Sequence, residues 1–194
     1  MELMQLRIVL LGVEPEIWRR VVVPDTLSLF ELHAVLQGAM GWQDTHLHMF
    51  EVDGQKYEVP ETNAYGSEEG YADERKFVLK KALKGISEFY YVYDFGDNWQ
   101  HRVEVESVTP PFPQGMYFPF CIAGENACPP EDCGGMYEYP EFLAVLADPK
   151  HPEHVDRKAW AGEFDPCAFS AAQATALIQA ICALNRERGV GFLG

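Results

Sequence analysis

Positive charge is scarce in this sequence. Its 194 residues hold 15 Lys and Arg against 30 Asp and Glu, a formal net charge of −15. A field of that sign repels polyanions unless a local basic patch overcomes it. The strong basic pairs are Arg19-Arg20 and Lys80-Lys81, and both have acidic residues nearby in sequence. Direct nucleic-acid binding is therefore disfavoured. Long apolar runs are also missing: no stretch approaches the ~20 residues of a membrane span, so no membrane association is expected. Met1–Met4 lacks a positive n-region, and the run Ile8–Leu11 is too short for a signal-peptide core. Five cysteines, an odd number, point with that to a reducing, cytoplasmic compartment and to free thiols. No phosphate-cradling glycine loop, nucleophile elbow, His-Glu-x-x-His helix or dinucleotide fingerprint occurs.

What is present is an ordinary globular mixture, 47% hydrophobic and 23% charged. The length suits a single domain over 1–194, with a sheet-rich part (1–109), a Pro/Gly/Cys loop (110–135) and a helical part (136–194). Gln5–Leu11 and Ile17–Val23 read as a hairpin. Ser28 and Glu31 form a capping box that opens a helix. Leu29, Leu32, Val35, Leu36 and Met40 mark its buried face, and Gly41 stops it. Asp53-Gly54 joins two further strands, His46–Val52 and Gln55–Val59. Residues 61–75 read as a polar loop, Lys76–Leu79 as a short strand and Lys80–Gly85 as a helical turn. Phe89–Tyr93 and Trp99–Val108 flank a Gly-containing turn and form the clearest hairpin. Trp99, His101, Val103 and Val105 share its inner face, and Gln100, Arg102, Glu104 and Glu106 its wet one. Pro110–Gly135 reads as irregular. Pro140 suits a first helical turn, His154–Ala161 a short helix, and Ser170 caps a helix to Arg188 with Gly189 as its stop. The fold class is therefore α+β: a mixed, mainly antiparallel sheet with a β-grasp-like N-terminal unit, covered by helices that include a C-terminal segment.

Three groups of residues can carry chemistry. In Tyr93–His101, Asp94 and Asp97 flank a glycine turn and His101 lies four residues beyond Asp97. These carboxylates can bind a cation or orient His101 as a general base. The competing reading is turn chemistry, since Asp side chains bond their own backbone in tight turns, with His101 as a core histidine. In Thr45–His48, two histidines on one strand face, about 7 Å apart at twice the ~3.3 Å rise, can chelate a metal; otherwise they mark a strand end. Cys121, Cys128 and Cys133 supply three of the four ligands of a zinc site; a rigid Pro/Gly loop with buried thiols explains them equally.

Ile17-Trp18-Arg19-Arg20, Gly41-Trp42 through His46-Leu47-His48, Tyr93 to His101, and Cys128 to Gly135 recur in this order in one family. The chain resembles the plasmid pRiA4b ORF-3-like proteins from Gln5 to about Phe169. The resemblance implies an α+β fold and no assigned activity. Some members carry an insertion-element passenger label with a resolvase tag. A serine recombinase needs a nucleophilic serine among arginines and a basic DNA-binding module, and neither is present. The family pattern accepts valine at the position of Cys133, which weakens a zinc reading there. It is matched fully at Asp94, Asp97, His101, Glu131 and Asp132, which makes these the site candidates, with His101 expected beside a carboxylate. Three functions follow in order: a non-catalytic module for a protein or small-molecule ligand, a metal-dependent or acid–base enzyme using a His/Asp/Glu cleft with a divalent metal such as zinc, and a mobile-element accessory factor acting through protein contacts.

Overall fold

The computed structural model describes residues 1–60, 70–109 and 119–187. Two strands, β1 (Leu3–Leu10) and β2 (Ile17–Pro24), form the first hairpin. The capping box then starts α1 (Leu29–Met40): the Glu31 N–H donates to Ser28 Oγ, and Ser28 N–H donates to the Glu31 carboxylate. Gly41 closes the helix in the left-handed conformation, φ 94°. β3 (His48–Val52) and β4 (Gln55–Glu58) follow. The long hairpin is β6 (Glu88–Tyr93) and β7 (Trp99–Thr109). Its inner residues Trp99, His101 and Val103 are fully buried, and Gln100 is exposed.

Three segments depart from the sequence-based expectations. The polar loop contains β5 (Ala72–Asp73), parallel to β4, and a 3-10 turn at Glu74–Lys76; residues 61–69 lie outside the described residues. Lys76–Leu79 is not a strand. Val78 makes only an isolated bridge to Ser28, and α2 (Leu79–Leu83) begins directly. Leu79, Ala82 and Leu83, spaced for one helical face, are all buried, so packing selects the helix. Inside the segment read as irregular, Phe120–Glu125 forms β8 on the outer edge of β2. Gly124 masks this strand in the sequence. A Cβ there would stand 2.6 Å from the Phe169 ring and 2.7 Å from the Trp18 carbonyl oxygen, so close packing demands a residue of low β-propensity.

The eight strands form one sheet in the order β5-β4-β3-β6-β7-β1-β2-β8, antiparallel throughout except β4–β5. α3 (Gly135–Ala147), α4 (His154–Ala161) and α5 (Ala171–Glu187) complete the α+β architecture. α3 starts earlier than Pro140 indicates, leaving that proline inside the helix; Gly134 and Gly135, at φ 98° and 73°, set the start instead. The expected stop at Gly189 lies outside the described residues. α1 is buried along its length except at Phe30, because α5 packs on the side away from the sheet. On the open face of the sheet, Arg7, Arg20 and Arg102 pair with Glu16, Glu106 and Glu104. Among the described residues no helix is long and apolar enough to cross a membrane.

Candidate functional site

The end of α1, the 42–47 loop, the β6–β7 turn and the loop before α3 meet at one corner of the sheet. Trp42 anchors them. Its indole N–H donates to the Pro129 carbonyl (3.1 Å), and its ring stacks on Tyr93 at 4.8 Å. The Tyr93 hydroxyl accepts the Thr45 N–H (3.1 Å) and donates to Glu131 Oε1 (3.0 Å). Burial, with Glu131 also beside it, raises the Tyr93 phenol to about 12, so it remains a neutral donor. The Gln43 N–H donates to the same Glu131 oxygen at 2.9 Å. One tyrosine thus ties the 42–47 loop to the loop before α3.

Asp94 opens the β6–β7 turn at φ 55°. Its Oδ1 accepts the N–H groups of Gly96 (2.9 Å) and Asp97 (3.3 Å), the self-bonding expected of a turn aspartate. That leaves Oδ2 to face His46 at 3.6 Å. Glu131 Oε2 and Asp132 Oδ1 face the same His46 Nε2 at 3.8 Å and 3.2 Å. This nitrogen is shielded from solvent and makes no hydrogen bond, although the three oxygens lie within 4 Å of it. The ligand atoms of His46, Asp94 and Asp132 all fall within 4.8 Å of one another. Among the described residues no Lys or Arg pairs with Asp94, Glu131 or Asp132.

Other candidates go elsewhere. Asp97 accepts the Gly134 N–H at 3.1 Å and so fastens the turn to the start of α3. Gly135 packs so tightly there that a Cβ would lie 2.4 Å from the Asp97 carbonyl oxygen. His101 is not beside a carboxylate. It is fully buried, Nδ1 meets the Tyr91 carbonyl oxygen at 3.2 Å, and Nε2 has no partner. Desolvation lowers its pKa to about 4, as for a neutral core imidazole. Cys121, Cys128 and Cys133 are free thiols and enter no ligand-spaced group among the described residues. Burial raises all three thiol pKa values, which disfavours the thiolate that zinc needs. The predicted chelating pair also separates. β3 starts at His48, so His46 precedes the strand and the two-residue alternation does not govern it.

His48 instead joins a network that the sequence did not reveal. Its ring stacks on His33 at 3.5 Å, 5° from parallel, and Nε2 meets Glu74 Oε1 at 2.9 Å. Gln37 donates to the Tyr91 hydroxyl (3.0 Å). That hydroxyl then donates to His33 Nδ1 (2.9 Å), and His33 Nε2–H donates to Asp44 Oδ1 (2.8 Å). The bonds specify neutral His33, whose pKa is lowered by burial first and His48 second. His33, Asp44 and His48 are spaced for a metal, but an imidazole lone pair lies in its ring plane, and parallel stacked rings cannot aim theirs at one centre. We therefore assign this cluster to holding the Asp44 end of the site loop. The available signal was His33 and Gln37, one turn apart in a helix that is apolar beyond its capping Glu31.

The fold and site define an α+β protein with a histidine–carboxylate cluster between loops at one corner of its sheet. The chain belongs to the plasmid pRiA4b ORF-3-like protein family, whose model matches residues 2–173. An uncharacterised protein of Sinorhizobium fredii, y4hQ, is 40% identical over 163 residues, spanning 83% of this chain and 81% of its own. The crystal structure of MM3350, a protein of unknown function from Methanosarcina mazei Go1, is similar at 36% identity and a TM-score of 0.79, covering 88% of this chain and 96% of that one.

Proposed function

We propose that the chain acts as one domain that binds a divalent metal ion through His46, Asp94 and Asp132, with Glu131 adjoining, and uses it to anchor a small-molecule or protein ligand. The carrying observation is His46 Nε2, buried without a hydrogen bond among three carboxylate oxygens at 3.2–3.8 Å. Bonds of ~2.1 Å at tetrahedral angles separate ligand atoms by roughly 3.4 Å, which falls inside that range. Three carboxylates around one imidazole, with no Lys or Arg paired to them among the described residues, also leave negative charge that a cation offsets. A mixed N/O set suits a transition metal such as zinc or manganese over magnesium or calcium. The reading favours a binding module over an acid–base enzyme because His101, one candidate general base, lies in the core.

Metal analysis of the purified protein and calorimetric titration with Zn2+ and Mn2+ test this. One ion per chain is expected, with affinity reduced at least about tenfold in Asp94→Asn, in line with ligand-shell losses. This variant suits the test because Asn keeps an Oδ1 acceptor for Gly96 and tolerates a positive φ. Wild-type protein that binds neither ion, or an Asp94→Asn variant that binds as well, would remove the reading.

A further inference from the structure

Arg19 is a second unusual group, outside the His46 cluster. Only 2% of it is exposed. Its Nε donates to the Ala39 carbonyl at the end of α1 (2.9 Å), and Nη1 donates to the carbonyls of Trp18 (2.8 Å) and Glu125 (2.9 Å). The Phe169 ring covers one face of the guanidinium at 4.3 Å. Among the described residues Nη2 makes no hydrogen bond and no carboxylate pairs with the charge. The nearby groups able to become negative are the thiols of Cys128 and Cys121, and burial holds both protonated. The α1 carbonyls supply partial negative charge only, and burial lowers the guanidinium's own pKa. A buried cation left in this condition is costly.

This side chain lines a cavity of about 210 Å³ that opens between α1, α5 and the 164–170 segment. The first turn of α5, with Ser170, Gln173 and Ala174, lines it too. α5 has no acidic residue in that turn, so its positive end and the guanidinium share the cavity. The remaining wall is apolar, from Met40, Phe164, Phe169 and Leu177.

We infer that this cavity binds a small organic monocarboxylate, its carboxylate on Arg19 Nη2 at the α5 N-terminus and its apolar body against Phe164 and Leu177. One guanidinium and one helix end match a single negative charge better than a phosphate dianion. The volume lies below the roughly 300 Å³ at which drug-sized pockets begin, which limits the ligand to an acid of about benzoate's size.

Calorimetric titration of the intact protein with benzoate, benzamide and inorganic phosphate at fixed ionic strength tests the inference. Benzoate should saturate one site, with benzamide and phosphate at least about tenfold weaker, the order expected when a charge-assisted hydrogen bond is lost. Arg19→Gln should abolish the preference for benzoate over benzamide. Because that substitution also removes hydrogen bonds that hold Arg19 in place, Leu177→Trp gives the second arm. It fills the cavity from a half-exposed position on α5 and should block benzoate while leaving the melting temperature unchanged. Equal binding of benzoate and benzamide, preference for phosphate, or undiminished benzoate binding by Leu177→Trp would each overturn it.

Discussion

At His101, burial decides the role of a residue that looked catalytic. The imidazole lies edge-on to Trp42 at 5.1 Å and has one backbone acceptor. Its folded-state pKa of about 4 lies below the ordinary imidazole value of 6.5. Below pH 6.5 the unfolded chain takes up a proton that the folded chain refuses. The stabilising effect is therefore complete above that pH and is lost as pH falls toward 4. At ~1.4 kcal/mol per pKa unit the loss approaches about 3–4 kcal/mol, and buried His33, also shifted down, acts in the same direction. Urea denaturation should show wild-type stability falling between pH 7 and pH 4.5 more steeply than that of His101→Leu. Parallel pH profiles would mean that His101 titrates normally. Asp94 shows the complementary case: one of its oxygens accepts the turn N–H groups while the other faces His46, so the turn role does not use up the side chain.

Among the elements, α1 carries opposite lessons at its two ends. Its start is local. Ser28 and Glu31 satisfy one another and the first backbone donors, and Ser28→Ala should cost about 1 kcal/mol in thermal or urea unfolding. Its second half is set by a neighbour. Helix propensity alone makes Gly38→Ala favourable by about 1 kcal/mol. The added Cβ would stand 2.6 Å from the backbone N and Cα of Ile178 on α5, and backbone does not yield as a flexible side chain does. The variant should therefore be destabilised, by about 1–3 kcal/mol as overpacked positions are. A raised melting temperature would show that α5 sits farther from α1. β8 follows the same rule, since Gly124 weakens the strand signal in order to admit Phe169.

For the whole molecule, the odd cysteine count leaves at least one thiol unpaired, the lack of a signal-peptide pattern extends the expectation of free thiols to the others, and the structure has five free cysteines. Alkylation under denaturing, non-reducing conditions should modify all five, as read by intact mass; a lower count would reveal a bridge. The metal reading has a global consequence as well. An ion that binds only the folded chain stabilises it by about 2.7 kcal/mol at a hundred times its dissociation constant. Added Zn2+ or Mn2+ should raise the melting temperature, EDTA should reverse the rise, and Asp94→Asn should show a smaller rise at the same ion concentration.

The sequence by itself determined what depends on near neighbours: the three hairpins, the capped helix, the α+β class, and the turn that holds Asp94. These follow from side-chain alternation, capping and turn chemistry, which act over a few residues. It also marked four residues that meet, His46, Asp94, Glu131 and Asp132, as polar candidates. Tertiary structure alone decided that these four converge while His48, Asp97, His101 and the cysteines do not. His46 lies just outside β3 and escapes strand alternation, and the 42–47 loop is placed by Trp42 and Tyr93 from separate elements. Asp97 reaches Gly134 only because α3 begins at a glycine pair packed against the β6–β7 turn. Such placements depend on strand order and on contacts between distant segments, for which local sequence has no period.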